Sequence, residues 1–459
     1  MTTLGGILQT GRSAIMAQQA AIANASANTA NAETIGYSRR DVTFTALPGQ
    51  SGVGIGAILR RTAPLLEQRL VLQRGRLGAH EAKAEGLAAI ERMFAEAEHG
   101  LGARLDALFA SLRTLAASPA DGQFRSDVLA RGQDLAEAFA SAAGGIDRER
   151  TQADAALVQD VARASELVAA IAQQNARVMA SSPGTPDHAS HLDQRALLVD
   201  ELAQLCEITT IAEGDGSLTV LLAGGPGLVQ GDSAASMRTS YDPMIGGLHR
   251  VELVDVSGVA LDVTTSLRGG LVGGRLELRD ETLVENADRL DRLAYDLATA
   301  MNAQHQAGFG TDGISGRVFF AQPAQAAGAA RALALAPGLA DNPAWLAAAS
   351  SAATATGGND NALALAGLAD QRLANGGQST FVGELAGMIG DLGRAARSEA
   401  DGVATTELAL EQTRALHQSS TGVSIDEELI DITRFERAYQ AGARIVQTVD
   451  RMYETLLQL

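Results

Sequence analysis

Residues 424–459 read SIDEELIDITRFERAYQAGARIVQTVDRMYETLLQL. Ile425, Ile432, Tyr439, Val446 and Tyr453 recur every seven residues, and Phe435, Gly442, Val449 and Leu456 repeat the series three residues later. Apolar residues at both seam positions of a heptad form a narrow stripe on one side of a helix, so this segment reads as a coiled-coil helix that another helix must cover. Asp426, Glu427 and Glu428 crowd its first turn, where they complement the positive end of the helix dipole. At the other end of the chain, residues 3–33 show a related pattern. Leu8, Ile15, Ile22 and Thr29 are spaced by seven, each preceded four residues earlier by Leu4, Gly11, Gln18 or Ala25. That too is a seam rather than a broad core-facing stripe. The expectation is that the two terminal helices pair, and that they become ordered only against other subunits. An ordinary intramolecular helix pair is the alternative.

Working inward, Gly36 is placed to cap the first helix in the left-handed conformation. Alternation in Asp41–Thr45 and Val53–Ile58 predicts an extended hairpin-like segment. From Pro64 to Asp200 the pattern is helical, broken by turns at Ser118–Gly122 and Ser181–Pro186, which implies a bundle. From Ile208 the period falls to two, with strands expected at Ile208–Ile211, Ser217–Leu222, Val251–Val254 and Leu261–Thr265. A helix over Arg279–Gln306 carries Leu283, Ala287, Leu290, Leu293 and Leu297 on one face, and helix resumes from Asn361. Residues 308–358 are rich in Gly and Ala and loop-prone.

The expected fold class is mixed α and β, multidomain: paired terminal helices, a long helical bundle, and a central β-rich outer domain inserted between helical halves. The expected divisions are 1–62 (axial helix plus extended segment), 63–206 (first helical half), 207–358 (β-rich domain with its helix near 279–306), 359–416 (second helical half) and 417–459 (C-terminal axial helix).

Composition narrows the function. With 36 basic and 54 acidic residues among 459, the net charge of −18 argues against nucleic acid or anionic lipid as a bulk partner. No apolar run is long and clean enough to cross a bilayer, and residues 1–23 do not form a secretory leader. The single cysteine, Cys206, reads as a small core residue. No GxxxxGK[ST], HExxH or GxSxG pattern occurs. The glycines of Gly52–Gly56 and Gly269–Gly274 lack the spacing of a phosphate loop. His188 and His191, within Asp187–Asp193, have a helical spacing compatible with a zinc site. The simpler reading is that Asp187 or Ser190 caps the helix after the Pro-Gly-Thr-Pro turn. No catalytic residue, metal or cofactor is expected.

Three blocks carry a resemblance. Ala27-Asn28-Thr29-Ala30-Asn31 running into Thr34-Ile-Gly36-Tyr37-Ser38-Arg39 resembles the N-terminal signature of bacterial flagellar axial proteins (rod, hook and hook-associated). Its Gly-Tyr-Ser-Arg version looks like that of the hook-associated protein 1 (FlgK) family. Leu267–Asp280 with Met301–Phe309 is similar to that family's central region. Gly422–Glu428, Phe435–Ala441 and Thr455–Leu457 are similar to its C-terminal domain.

The resemblance implies a non-enzymatic structural subunit at the junction of hook and filament. It would be exported unfolded through the flagellar type III route without a cleaved leader and located in the extracellular flagellum. Both termini would line the tube as a coiled-coil inner layer. The implied partners are copies of itself in a junction ring, the hook protein, the second junction protein (hook-associated protein 3), and an export chaperone on the C-terminal helix, with neither nucleic acid nor membrane insertion. The residues expected at these interfaces are Leu8, Ile15, Ile22, Asn24, Asn28, Asn31, Ile425, Ile432, Phe435, Tyr439, Val446, Val449, Tyr453 and Leu456. The three asparagines share a helical face that is either solvated or hydrogen-bonded between subunits. The chain is short for the family, which suggests a reduced outermost domain. The competing readings are a hook or distal-rod subunit, or a coiled-coil binding module.

Overall fold

The computed structural model describes residues 3–48, 52–94 and 100–458. Helix α1 (Leu4–Ala30) is capped by Thr3, whose side chain accepts the amide of Gly6. It stops three residues short of the expected end, and the chain turns through Asn31–Gly36, with Gly36 at φ 81°. A side chain there would collide with Leu197 as well as strain the backbone. Strands β1 (Arg40–Ala46) and β2 (Val53–Arg60) form the expected hairpin, in antiparallel register from Arg40↔Arg60 to Ala46↔Val53, with a register shift between Thr43 and Phe44.

Helices α2 (Pro64–Phe94), α3 (Leu101–Ala117), α4 (Gly122–Ala180) and α5 (Pro186–Leu205) follow, broken at both expected turns. Next come β3 (Ile208–Ala212), β4 (Leu218–Leu222), β5 (Gly227–Gln230) and β6 (Ser233–Ala234), which form one antiparallel sheet in sequential order. Strands β7 (Ser236–Asp242), β8 (Leu248–Val254) and β9 (Ala260–Asp262) form a second. Strands β5, β6 and β7 were not expected, because Gly, Ser and Asp interrupt the alternation there. The remaining helices are α6 (Gly270–Glu277), α7 (Leu283–Ala307), the single turn α8 (Ala329–Ala332), α9 (Asp360–Gly367), α10 (Phe381–Thr421) and α11 (Ile425–Leu457). A π-helical turn, Leu278–Thr282, joins α6 to α7.

The chain divides into two compact units. The first gathers residues up to Gly78, Val158–Gly273 and everything from Ala404, so it holds α1, the hairpin, both small sheets and α11. The second gathers Ala79–Leu157 and Gly274–Val403. This corrects the expected 207–358 domain. Its strands belong with the terminal helices, whereas α7 and the segment 308–358 belong to the second, helical unit. The reason is the apolar face of α7. Leu283, Leu290, Leu293 and Leu297 need large partners, and they join Phe109, Leu112, Phe139, Phe319 and Phe381 in one buried cluster.

The block Met301–Phe309 explains how so irregular a segment as 308–358 is held. Asn302 accepts the amides of Phe319 and Phe320 through Oδ1 (2.9 and 2.8 Å) and donates to the carbonyl of Phe320 (3.0 Å). His305, fully buried, donates from Nδ1 to the Arg317 carbonyl (2.7 Å) and accepts the Ala347 amide at Nε2 (3.0 Å). Gln304 meets Asn361 (2.7 Å), which holds the Ala347 carbonyl (2.7 Å). Two side chains of one helix, Asn302 and His305, thus satisfy backbone groups that no regular element pairs, and a third, Gln304, orients Asn361 to do the same. In the π-helical turn after α6, the fully buried Arg279 is matched by Asp154 and by a two-pronged contact with Asp280 (2.8 and 2.7 Å).

Candidate assembly surface on the terminal helices

Helices α1 and α11 run antiparallel. Gly5 faces Tyr453, Gly11 lies against Val446 and Gly442, and Asn28 meets Glu428. The packing is through small residues. A methyl group at Gly11 would sit 2.9 Å from Val446 Cγ2 and 3.3 Å from Ile445 Cγ2, and one at Gly442 would sit 3.2 Å from Ile15 Cγ1. The buried positions of α1 are Gly11, Ser13, Ala17, Ala21, Ala25 and Asn28, and those of α11 are Glu428, Phe435, Gly442 and Val449. The second heptad series of α11 is therefore the covered one as far as Val449, and it extends back to Glu428, while Leu456 at its end is exposed.

The expected interface residues divide by exposure. Phe435, Val449 and Asn28 are buried; Leu8, Ile15, Ile22, Asn24, Asn31, Ile432, Tyr439 and Val446 are half-buried; Ile425, Tyr453 and Leu456 are exposed. Beyond them α11 turns further apolar side chains outward, namely Leu429, Ile430, Ile445, Met452 and Leu457, the last 86 % exposed.

The asparagines have a use that neither sequence reading included. Asn28 accepts the Tyr37 hydroxyl (2.9 Å) and the Arg40 amide (3.2 Å), and donates to the Arg40 carbonyl (3.0 Å) and to Glu428 Oε2 (3.1 Å). Asn24 donates to the same Arg40 carbonyl (2.6 Å), and Asn31 caps the Ala27 carbonyl (2.8 Å). The amides of Asn24 and Asn28 thus tie α1 to the segment that follows it, within one subunit.

Arg39 is the residue that sequence reasoning missed. Its side chain is buried among four carboxylates: Nε lies 2.7 Å from Glu428 Oε1 and 3.6 Å from Asp41 Oδ1, Nη1 meets Glu427, and Nη2 is 3.3 Å from Asp431. Glu428 is only 2 % exposed. Burial alone would lower the guanidinium pKa, but Glu428, Glu427 and Asp41 outweigh it and raise the value. The backbone joins in, since the Arg39 amide donates to the Thr421 carbonyl (2.8 Å) just ahead of α11. The acidic first turn of α11 therefore does more than complement a dipole: it is the counter-charge of the Gly-Tyr-Ser-Arg segment. A cluster of three acids three residues before Asp431 was the available signal.

Neighbouring groups extend the node. Arg40 stacks on the Tyr37 ring (4.8 Å) and reaches Ser190 (2.9 Å) and Asp193 (3.5 Å), while Arg60 holds the other oxygen of Asp193 (2.7 Å). Burial, ahead of nearby charges, raises the Tyr37 hydroxyl pKa. Phe44 of β1 meets Phe435 of α11 edge-on at 6.1 Å. Asp193 is thus an arginine acceptor. His188 contacts Ser181 through Nδ1 (2.9 Å), and the cap of α5 is Thr185 rather than Asp187 or Ser190. Among the described residues no group of three or more His, Cys, Asp or Glu side chains is arranged to hold a metal ion. Cys206 is fully buried, which pushes its thiol up to about 12.

Comparison with known proteins adds an independent line. Residues 87–320 match the family described as the flagellar hook-associated protein FlgK helical domain, and 417–459 match the C-terminal family of flagellar basal body rod FlgEFG proteins. Flagellar hook-associated protein 1 of Bacillus subtilis is 27 % identical over 494 aligned positions, covering 98 % of this chain and 97 % of that one. Its Escherichia coli counterpart is 22 % identical over 552 positions, covering 99 % and 100 %. Among solved structures, the flagellar hook junction protein FlgK from Burkholderia pseudomallei shares the fold at a TM-score of 0.68 and 18 % identity, covering 78 % of this chain and all of that one.

Proposed function

The chain belongs to the flagellar hook-associated protein FlgK family, and on that premise we propose that it is the subunit that joins the hook to the filament and allows the filament to be built. It is a structural component of the bacterial flagellum, serving assembly and motility. No described helix is long and apolar enough to cross a membrane. The observation that carries the finer reading is the unfinished surface of α11: its seam with α1 uses one row of residues, and apolar side chains on its other faces stay in solvent. In this reading neighbouring copies and the hook cover those faces in the assembled organelle. A second junction protein, hook-associated protein 3, binds the far side.

Before assembly, the same greasy helix needs a cover, and an export chaperone that grips an amphipathic helix fits it. Ile432, Phe435, Tyr439, Val446, Val449 and Tyr453 are its contacts in this proposal, and the subunit leaves the cell unfolded by type III export. The match of 417–459 to rod proteins favours one rival, a rod or hook subunit, but the helical-domain match is specific to the hook-associated family.

Electron microscopy of a strain lacking the gene separates these. The expected picture is intact hooks without filaments, with flagellin free in the medium. Loss of the hooks themselves would make it a rod or hook component instead.

A further inference from the structure

We propose that His305 is an acid-operated clasp: proton uptake at its Nε2 atom releases Trp345, Leu346 and Ala347 from the helical unit, while Arg317–Phe320, held from the other side of the same ring, stays in place. The clasp lies wholly within that unit and does not depend on where the subunit sits in the organelle.

The partners of the ring fix its tautomer. Nδ1 lies 2.7 Å from the Arg317 carbonyl, which can only accept, so Nδ1 carries the proton. Nε2 lies 3.0 Å from the Ala347 amide, which can only donate, so Nε2 is bare. The ring is wholly buried and edge-on to Phe319 at 5.7 Å. A second proton therefore goes to Nε2, where it sets donor against donor. The bond from Nδ1 survives that change and strengthens, because its donor becomes charged. The bond to Ala347 does not survive, and this asymmetry decides which stretch leaves.

The surroundings give the extra charge no relief. Arg317, bound to Asp312 (2.6 Å) and stacked on the Trp345 ring (4.7 Å), faces the imidazole from the segment after α7. Arg125 of α4 holds the Leu346 carbonyl (2.6 Å) on the stretch that leaves. Asp360, at the head of α9, is exposed and bonds Ser350 (3.1 Å). Among the described residues no carboxylate bonds the ring, so an imidazolium is costly while the clasp is closed and gains water when it opens.

Backbone bonds bound the opening on both sides. The Thr311 amide holds the Ala344 carbonyl (2.9 Å), and the amides of Asn361 and Ala362 hold the Ala348 carbonyl (3.1 and 3.0 Å). The stretch between these anchors bows outward, giving up the Arg125 bond to Leu346 and the Asn361 bond to Ala347 (2.7 Å). It carries the buried Leu346 and Ala347 into solvent. The amides of Phe319 and Phe320 rest on Asn302, which does not titrate.

Linkage sets the size of the effect. Burial pushes the pKa of the closed ring down to about 4, against about 6.5 once it is hydrated. Opening is unaided above pH 6.5. Below that it gains about tenfold for each pH unit, to roughly 300-fold near pH 4.

Amide exchange on the full-length protein, corrected for intrinsic rates, tests this. Ala347 should lose protection by roughly 300-fold between pH 7 and pH 4, with little dependence on added urea. Phe319 and Phe320 should exchange more slowly, and only through urea-sensitive unfolding. His305→Gln keeps a neutral acceptor and should flatten the pH dependence at Ala347. A wild-type loss below about tenfold, exchange of Ala347 that tracks Phe319 and Phe320 in rate and urea dependence, or a pH profile that persists in His305→Gln would each overturn the clasp. The wild-type measurements decide the matter by themselves if the variant does not fold.

Discussion

The helical unit and the terminal helix pair bury their apolar residues in opposite ways. In the helical unit, the leucines of α7 share one buried cluster with side chains of α3, α4 and the segment 308–358, and the largest rings, Phe109, Phe139, Phe319, Phe320 and Phe381, are wholly out of solvent. In the pair, glycine and alanine line the α1 side and Phe435, Gly442 and Val449 the α11 side, while Leu429, Ile430, Met452 and Leu457 face outward. One region satisfies its hydrophobic surface internally. The other is joined closely enough to hold together but leaves many of its larger side chains in solvent. The difference teaches that burial of big residues marks what a domain needs to fold, and their exposure on a well-formed helix marks what an assembly needs.

The comparison can be pressed by substitution, beginning where the effect is greatest. Phe319→Ala removes a ring packed edge-on against Phe320 (4.8 Å) and His305 (5.7 Å). It should destabilise the helical unit by about 3–5 kcal/mol in urea unfolding. A loss under 1 kcal/mol would mean that the core is less complete than described. Arg39→Met strips the buried Glu428 of its counter-charge and should cost about 3 kcal/mol, read as earlier loss of α-helical signal. Glu427 and Asp431 are more accessible to water, which keeps the figure at the low end.

Acid should single out the helical unit. Burial pushes the His305 pKa down to about 4, against about 6.5 in an unfolded chain. Between those values the unfolded state binds the extra proton. The contribution of neutral His305 is thus complete above pH 6.5 and is lost as pH falls towards 4, at most roughly 3 kcal/mol. A His305→Gln variant should show a shallower pH dependence over that window. If its profile overlays the wild type, the histidine is not the group responsible.

Smaller effects test the pair. Gly11→Ala forces a methyl against the branched side chains of Val446 and Ile445 and should cost about 1–3 kcal/mol. Leu457→Ser, at the exposed end, should change monomer stability by less than about 0.5 kcal/mol and yet reduce filament formation. Unchanged swimming in that variant would show that the outward residues are ordinary surface.

The heptads of both ends, the hairpin, the helix breaks at Ser118 and Ser181 and the face of α7 were all legible, because each is a local period or a local breaker. The grouping of elements was less so. Residues 207–358 look like one insertion by composition, but α7 goes where the phenylalanines are, and those lie far away in sequence. The expected interface residues were legible as seams without their sense: Gly442 stood in the series as one member among others, and only the antiparallel neighbour makes it a point of close approach.

By itself, then, the sequence determined that this chain is mixed and multidomain, that its two ends are slender helices seeking partners, and which family it resembles. Tertiary structure alone decided that those ends meet antiparallel with Gly11 against Gly442, that Arg39 draws four carboxylates together, and that Asn28 and His305 serve backbone groups distant in sequence. The physical reason is that periodicity is written by neighbours along the chain, while the pairing of a buried charge or amide depends on which groups arrive beside it when the chain is folded.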